Sequence, residues 1–80
     1  MKNNVVGIRI KELRKSKGWT QSDLATQCQL RDYEMSRETI AKIESGIRLI
    51  MDTDIVEFAL VLDVSIAELF DVPNIPCKVT

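Results

Sequence analysis

Between Val5 and Lys17 the apolar side chains recur at helical spacing. Val6, Ile10 and Leu13 fall at i, i+4 and i+7, and Arg9, Lys11, Glu12 and Lys15 occupy the opposite face. This predicts an amphipathic helix that stops at Gly18, with Lys17 supplying positive charge in the last turn. Thr20 then stands where an N-cap is needed. Asp23, three residues on, approximates a capping box, and Trp19 and Leu24 bracket the start as a hydrophobic staple. A second helix over 21–29 buries Leu24, Ala25 and Cys28. The polar stretch 29–34 contains neither Gly nor Pro and reads as a loop. The start signal then repeats, with Ser36 as cap and Met35 and Ile40 as staple, and the third helix ends at Gly46, a natural left-handed position. Residues 47–51 are apolar for a loop. Asp52 or Thr53 caps a fourth helix running to about Leu62, with Ile55, Phe58, Ala59 and Leu62 as its inner stripe. Ser65 and Glu68 form the ends of a Ser-x-x-Glu box that opens a short fifth helix ending near Phe70. Pro73 and Pro76 mark 73–80 as a tail beyond a single domain at 1–72. The fold class is all-α.

The composition is that of an ordinary globular domain, with 80 residues, 45% apolar and 29% charged. The formal net charge of −1 argues against nucleic acid until it is resolved along the chain. Residues 2–48 carry ten basic and six acidic side chains, net +4, and residues 49–80 carry one basic and six acidic, net −5. No apolar run reaches the roughly 18 residues a membrane span needs. The N-terminus does not lead into a signal-peptide core, so the expected location is the cytoplasm. With no His, two distant cysteines (Cys28 and Cys77), no glycine-rich loop and no nucleophile–base pair, neither a metal site, a cofactor nor an enzymatic centre is expected. Cys28 reads as a small core hydrophobe, and a Cys28–Cys77 bridge is disfavoured.

The third helix repays a closer look. Stepping 100° per residue from Ile40 puts Ile43, Glu44 and Ser36 on the inner side. Glu38, Lys42 and Ser45 lie opposite, with Arg37 and Ala41 on the flank. Such an outer face has two readings. One is a solvated surface on which Glu38 and Lys42 form an i,i+4 pair, contributing about 0.2–0.5 kcal/mol. The other is a surface that meets a ligand.

The run from Gly18 to Ala25, with its Thr-Gln-x-x-Leu-Ala, is followed by Ser36 to Gly46, with its Ile-x-x-Ile-Glu-x-Gly. Residues 55–70 continue the pattern through Ile55, Phe58-Ala59, Leu62-Asp63-Val64-Ser65-Ile66 and Glu68-Leu69-Phe70. Together these motifs resemble the phage repressor/Cro-like (XRE-type) helix-turn-helix family over about residues 6–70. The resemblance implies a compact five-helix, lambda-repressor-like domain with the helix-turn-helix at helices 2 and 3. It also implies sequence-specific binding of double-stranded DNA by a homodimer, as a transcriptional regulator of repressor type acting on a palindromic operator. On that arrangement Arg37, Glu38, Thr39 and Lys42 face base edges, and Arg and Lys suit guanine while Glu suits the cytosine amino group. Thr20, Gln21, Ser45 and Arg48 fall at phosphate contacts, although Gln21 also reads simply as a good first-turn residue. In the family a partly buried bridge joins the positions of Arg14 and Glu44; otherwise these are two separate surface charges.

The chain departs from the family pattern in three places. The link between helices 2 and 3 is about five residues longer than the usual tight turn, and Gln29 stands where its glycine is expected. Arg31 and Tyr33 either reach a phosphate from this loop or are solvated. Asp63 replaces the Gly often found after the fourth helix, a change Asp tolerates. Finally, Val56 and Leu60 project away from the inner stripe. With Ile47, Leu49, Ile50 and Met51 they form either an exposed dimer interface or a segment folded back on the monomer. No small-molecule effector is evident, and no sensor domain is expected at this length. The competing function is an antitoxin-like or protein-interaction module that keeps the fold with weak or no DNA binding.

Overall fold

Thr20, Ser36 and Ser65 each turn a hydroxyl onto the backbone N–H three residues ahead, and these caps divide the chain into helices. The computed structural model describes residues 5–70, so the expected tail, its Cys77 and the boundary at residue 72 lie outside the described residues. Five helices follow in order: α1 (Val5–Ser16), α2 (Gln21–Leu30), α3 (Arg37–Ser45), α4 (Asp52–Leu62) and α5 (Ile66–Leu69). Among the described residues there is no strand.

At the start of α2 the box is reciprocal. Thr20 Oγ1 accepts from the Asp23 N–H at 3.0 Å, and the Asp23 carboxylate accepts from the Thr20 N–H at 2.8 Å. Ser65 and Glu68 repeat it at the start of α5. Gly18 (φ 75°) and Gly46 (φ 86°) supply the left-handed turns that end α1 and α3. Asp63 (φ 59°) performs the same turn after α4 without a glycine.

The start of α4 differs from expectation. The helix begins at Asp52, so neither Asp52 nor Thr53 caps it; Met51 occupies the cap position and has no oxygen to offer. The Asp54 carboxylate instead accepts from the Met51 N–H at 3.1 Å. The inner face of α4 is wider than the expected stripe, whose Phe58, Ala59 and Leu62 are buried and whose Ile55 packs against the core. Asp54, Phe58, Val61 and Leu62 face inward along with Ala59, while Ile55 is only half-buried.

The core is one cluster. Ile10, Leu24, Cys28, Ile40, Phe58, Leu62 and Leu69 are fully enclosed, and Val6, Ala25, Met35, Ile43, Ala59 and Val61 complete it; Leu13 is half-buried at its edge. Helix α1 packs on α3, α4 and α5, α2 packs on α3 and α4, and α4 packs on α5. α3 is therefore held against α1 and α2 through Ile40 and Ile43, and its other side is left to solvent.

Candidate nucleic-acid interface

The helical period that buries Ile40, Ile43 and Glu44 turns Arg37, Glu38, Lys42 and Ser45 outward, and all four are exposed. Both Glu38 and Lys42 are described residues, and no ion pair joins them. Thr39 is half-buried. Its hydroxyl lies 3.0 Å from Ser36 Oγ, and its N–H donates to that same oxygen at 3.1 Å. The Thr39 hydroxyl is thus engaged at the cap, and the exposed charged groups of α3 are Arg37, Glu38 and Lys42. Ser45 Oγ donates back to the Lys42 carbonyl at 3.1 Å.

Behind α3 lies a buried polar network. Arg14 Nε and Nη2 donate to the two Glu44 carboxylate oxygens at 2.8 and 3.0 Å, with both side chains more than nine-tenths enclosed. Arg14 Nη1 also donates to the Trp19 carbonyl at 2.7 Å. The fork-on-fork geometry ties α1 to α3, and its third donor fastens the turn leading into α2. Gln21 joins the network, its Nε2 donating to Glu44 Oε1 at 3.1 Å. The first residue of α2 is thereby fixed against the back of α3. Lys17 Nζ sits 5.4 Å from the centre of the Trp19 ring, which adds a cation beside the N-terminus of α2. That contact has no signal in the sequence beyond the two residues being near neighbours.

A second network ties the segments before and after α3 to α4 and was not foreseen from sequence. Tyr33 OH donates to Asp54 Oδ1. Asp54 Oδ2 accepts from the Met51 N–H and from Arg48 Nη1, the latter at 3.4 Å. The Tyr33 ring meets Phe58 edge-on, with centroids 5.9 Å apart and planes at 86°. Burial, with the Asp54 carboxylate beside it, pushes the Tyr33 phenol above its ordinary range and keeps it a donor. Burial likewise pushes the Cys28 thiol up to about 11, with the Glu57 charge adding to the effect. Tyr33 is therefore half-buried and packed on the core, whereas Arg31 is exposed.

The longer link between α2 and α3 turns at Asp32 (φ 59°), and the Tyr33 N–H then donates to the Cys28 carbonyl at 3.0 Å. Between this link and α3 lies an open groove of about 600 Å³, lined by Gln29, Asp32, Glu34, Met35, Ser36 and Thr39.

Of the apolar residues expected at an interface, Leu49, Met51, Val56 and Leu60 are exposed, as is Ile47, with Leu49 at 77%. Ile50 is the exception: it is half-buried and packs against the core. Among the described residues no helix is long and apolar enough to cross a membrane, and no group of three or more Cys, Asp or Glu is placed to hold a metal ion.

Comparison with known proteins places the chain in a family. The sequence profile of a helix-turn-helix family aligns with residues 10–69, most of the 80-residue chain. No individual curated protein and no solved structure matched.

Proposed function

Because the chain belongs to the Cro/C1-type helix-turn-helix family of DNA-binding regulators, we propose that it is a dimeric, sequence-specific repressor that reads the major groove with α3. The observation that carries this reading is the two-sidedness of α3. Ile40, Ile43 and the Glu44 ion pair dock one face, while Arg37, Glu38 and Lys42 leave the other with three hydrogen-bonding side chains. Arg37 and Lys42 donate to guanine N7 and O6, and Glu38 accepts from a cytosine amino group. Thr39 supports the start of the helix.

Phosphates on either side are met by the N-terminus of α2, at Thr20 and Gln21, and by Ser45 and Arg48 at the end of α3. The exposed apolar residues Leu49, Met51, Val56 and Leu60 pair two copies about a two-fold axis. The two α3 helices then fall about one DNA turn apart, roughly 34 Å, on a palindromic operator. The acidic half of the chain belongs on the side away from the phosphates.

A protein-binding, antitoxin-like role is the second reading. It is favoured by the unpaired Glu38 and by Asp32 and Glu34 on the groove beside α3. Two measurements separate them. Fluorescence-anisotropy titration of a random duplex at two salt concentrations should show affinity falling steeply as salt rises; no binding at either salt up to high micromolar protein refutes the DNA reading. Selection of bound duplexes from a random pool should then return a motif that changes with Arg37→Ala and with Lys42→Ala. An unchanged motif in both variants refutes the assignment of α3.

A further inference from the structure

A helix of nine residues is about 13 Å long, so a tilt of about 10° about one end moves the other by about 2 Å. Hydrogen bonds to base edges tolerate only a few tenths of an ångström. Docking through Ile40, Ile43 and Glu44 holds the inner face of α3, but the angle of the helix also depends on the chain at its two ends. The chain entering α3 is the longer link at 31–36, where a free pivot would be most damaging.

That link is not free. The left-handed turn at Asp32 aims Tyr33 inward, where the ring lies against Phe58 and the hydroxyl donates to Asp54. The chain leaving α3 comes to the same carboxylate, with the Met51 N–H at 3.1 Å and Arg48 Nη1 at 3.4 Å both on Asp54 Oδ2. Asp54 is 6% exposed, so its charge is stabilised by these donors and little by water. Arg48, half-exposed, keeps further N–H donors for a phosphate.

We propose that Asp54 is the positioning residue of the reading surface: by accepting from Tyr33 before α3 and from Met51 and Arg48 after it, one buried carboxylate sets the angle at which α3 meets DNA. The inference rests on α3 being the reading helix. It assigns the extra length of the α2–α3 link a purpose, which is to carry Tyr33 to α4.

The test uses the full chain carrying Tyr33→Phe, which keeps the ring on Phe58 and removes only the hydroxyl, and Asp54→Asn as a second variant. Affinity is measured for the selected duplex and for a random duplex, at one salt concentration and well below the unfolding temperature followed by Trp19 fluorescence. The expected result for Tyr33→Phe is an about three- to tenfold loss of preference for the selected duplex, with random-duplex affinity within about twofold of the parent. Asp54→Asn should lose at least as much; if it does not fold, Tyr33→Phe decides alone. An unchanged preference, or an equal loss on both duplexes, overturns the positioning role while leaving the reading helix intact. An unaltered preference in Arg37→Ala and Lys42→Ala refutes the reading helix itself, and this inference with it.

Discussion

Replacing Glu44 with Ala removes the acceptor at the centre of the network behind α3. Donors converge on that carboxylate, among them two from Arg14 at 2.8 and 3.0 Å and one from Gln21 at 3.1 Å. Arg14 and Glu44 side chains are only 8% and 3% exposed. After truncation the Arg14 guanidinium keeps the Trp19 carbonyl but has no counter-charge, and water reaches it poorly. Stranding a charge this way costs about 3–5 kcal/mol. A domain of 80 residues has about 4–12 kcal/mol in total, at roughly 0.05–0.15 kcal/mol per residue. The variant should therefore lose a quarter or more of its stability and melt at least about 12 °C lower. Urea unfolding followed by Trp19, the one tryptophan of the chain, measures this directly. A loss below about 1 kcal/mol, the value of a surface pair, would refute the burial argument. The paired substitution Arg14→Met with Glu44→Leu strands no charge and should recover most of the loss. If it is as unstable as Glu44→Ala, the penalty comes from lost geometry and not from an unpaired ion.

Three further outcomes follow from the same structure. The Cys28 thiol ionises near 9.0 when the chain unfolds and near 11 when folded, so its contribution is complete below pH 9 and disappears as pH rises toward 11. The raised Tyr33 phenol acts in the same direction, so the urea midpoint should fall above pH 9, and less steeply in Cys28→Ala; a midpoint constant to pH 10.5 contradicts this. Asp63→Gly relieves a left-handed non-glycine residue and should raise stability by about 0.5–1 kcal/mol; a lower urea midpoint would mean that the Asp side chain contributes more than its backbone strain costs. Leu49→Glu, at a side chain 77% exposed, should change monomer stability by no more than about 0.5 kcal/mol. It should nevertheless convert a dimer to monomer in sedimentation equilibrium, and an unchanged mass would exclude this surface as the interface.

What the amino-acid order determines here is local. Thr20 with Asp23, Ser36 with the Thr39 N–H, Gly46 after Ser45, and Ser65 with Glu68 all act within four residues. Their effect can be read without knowing what else is nearby, and the five helices and the outward face of α3 follow from them and from the 3.6-residue period. Three features depended on the tertiary structure. The inner face of α4 is widened to include Asp54, because a carboxylate is buried at low cost only where partners meet it, here Tyr33, 21 positions away, with Arg48 and Met51. Ile50 turns inward while Leu49 and Met51 face solvent, and an irregular segment has no period from which to foretell it. From sequence, Arg31 and Tyr33 in the longer link either reach a phosphate or are solvated, and the polar residues beside Tyr33 give no sign of what it packs against. Tyr33 is instead half-buried against the core, because the left-handed turn at Asp32 brings it over Phe58 and within reach of Asp54. Contacts across distant elements, the Tyr33 ring on Phe58 and its hydroxyl on Asp54, decided how this part of the link packs beside α3.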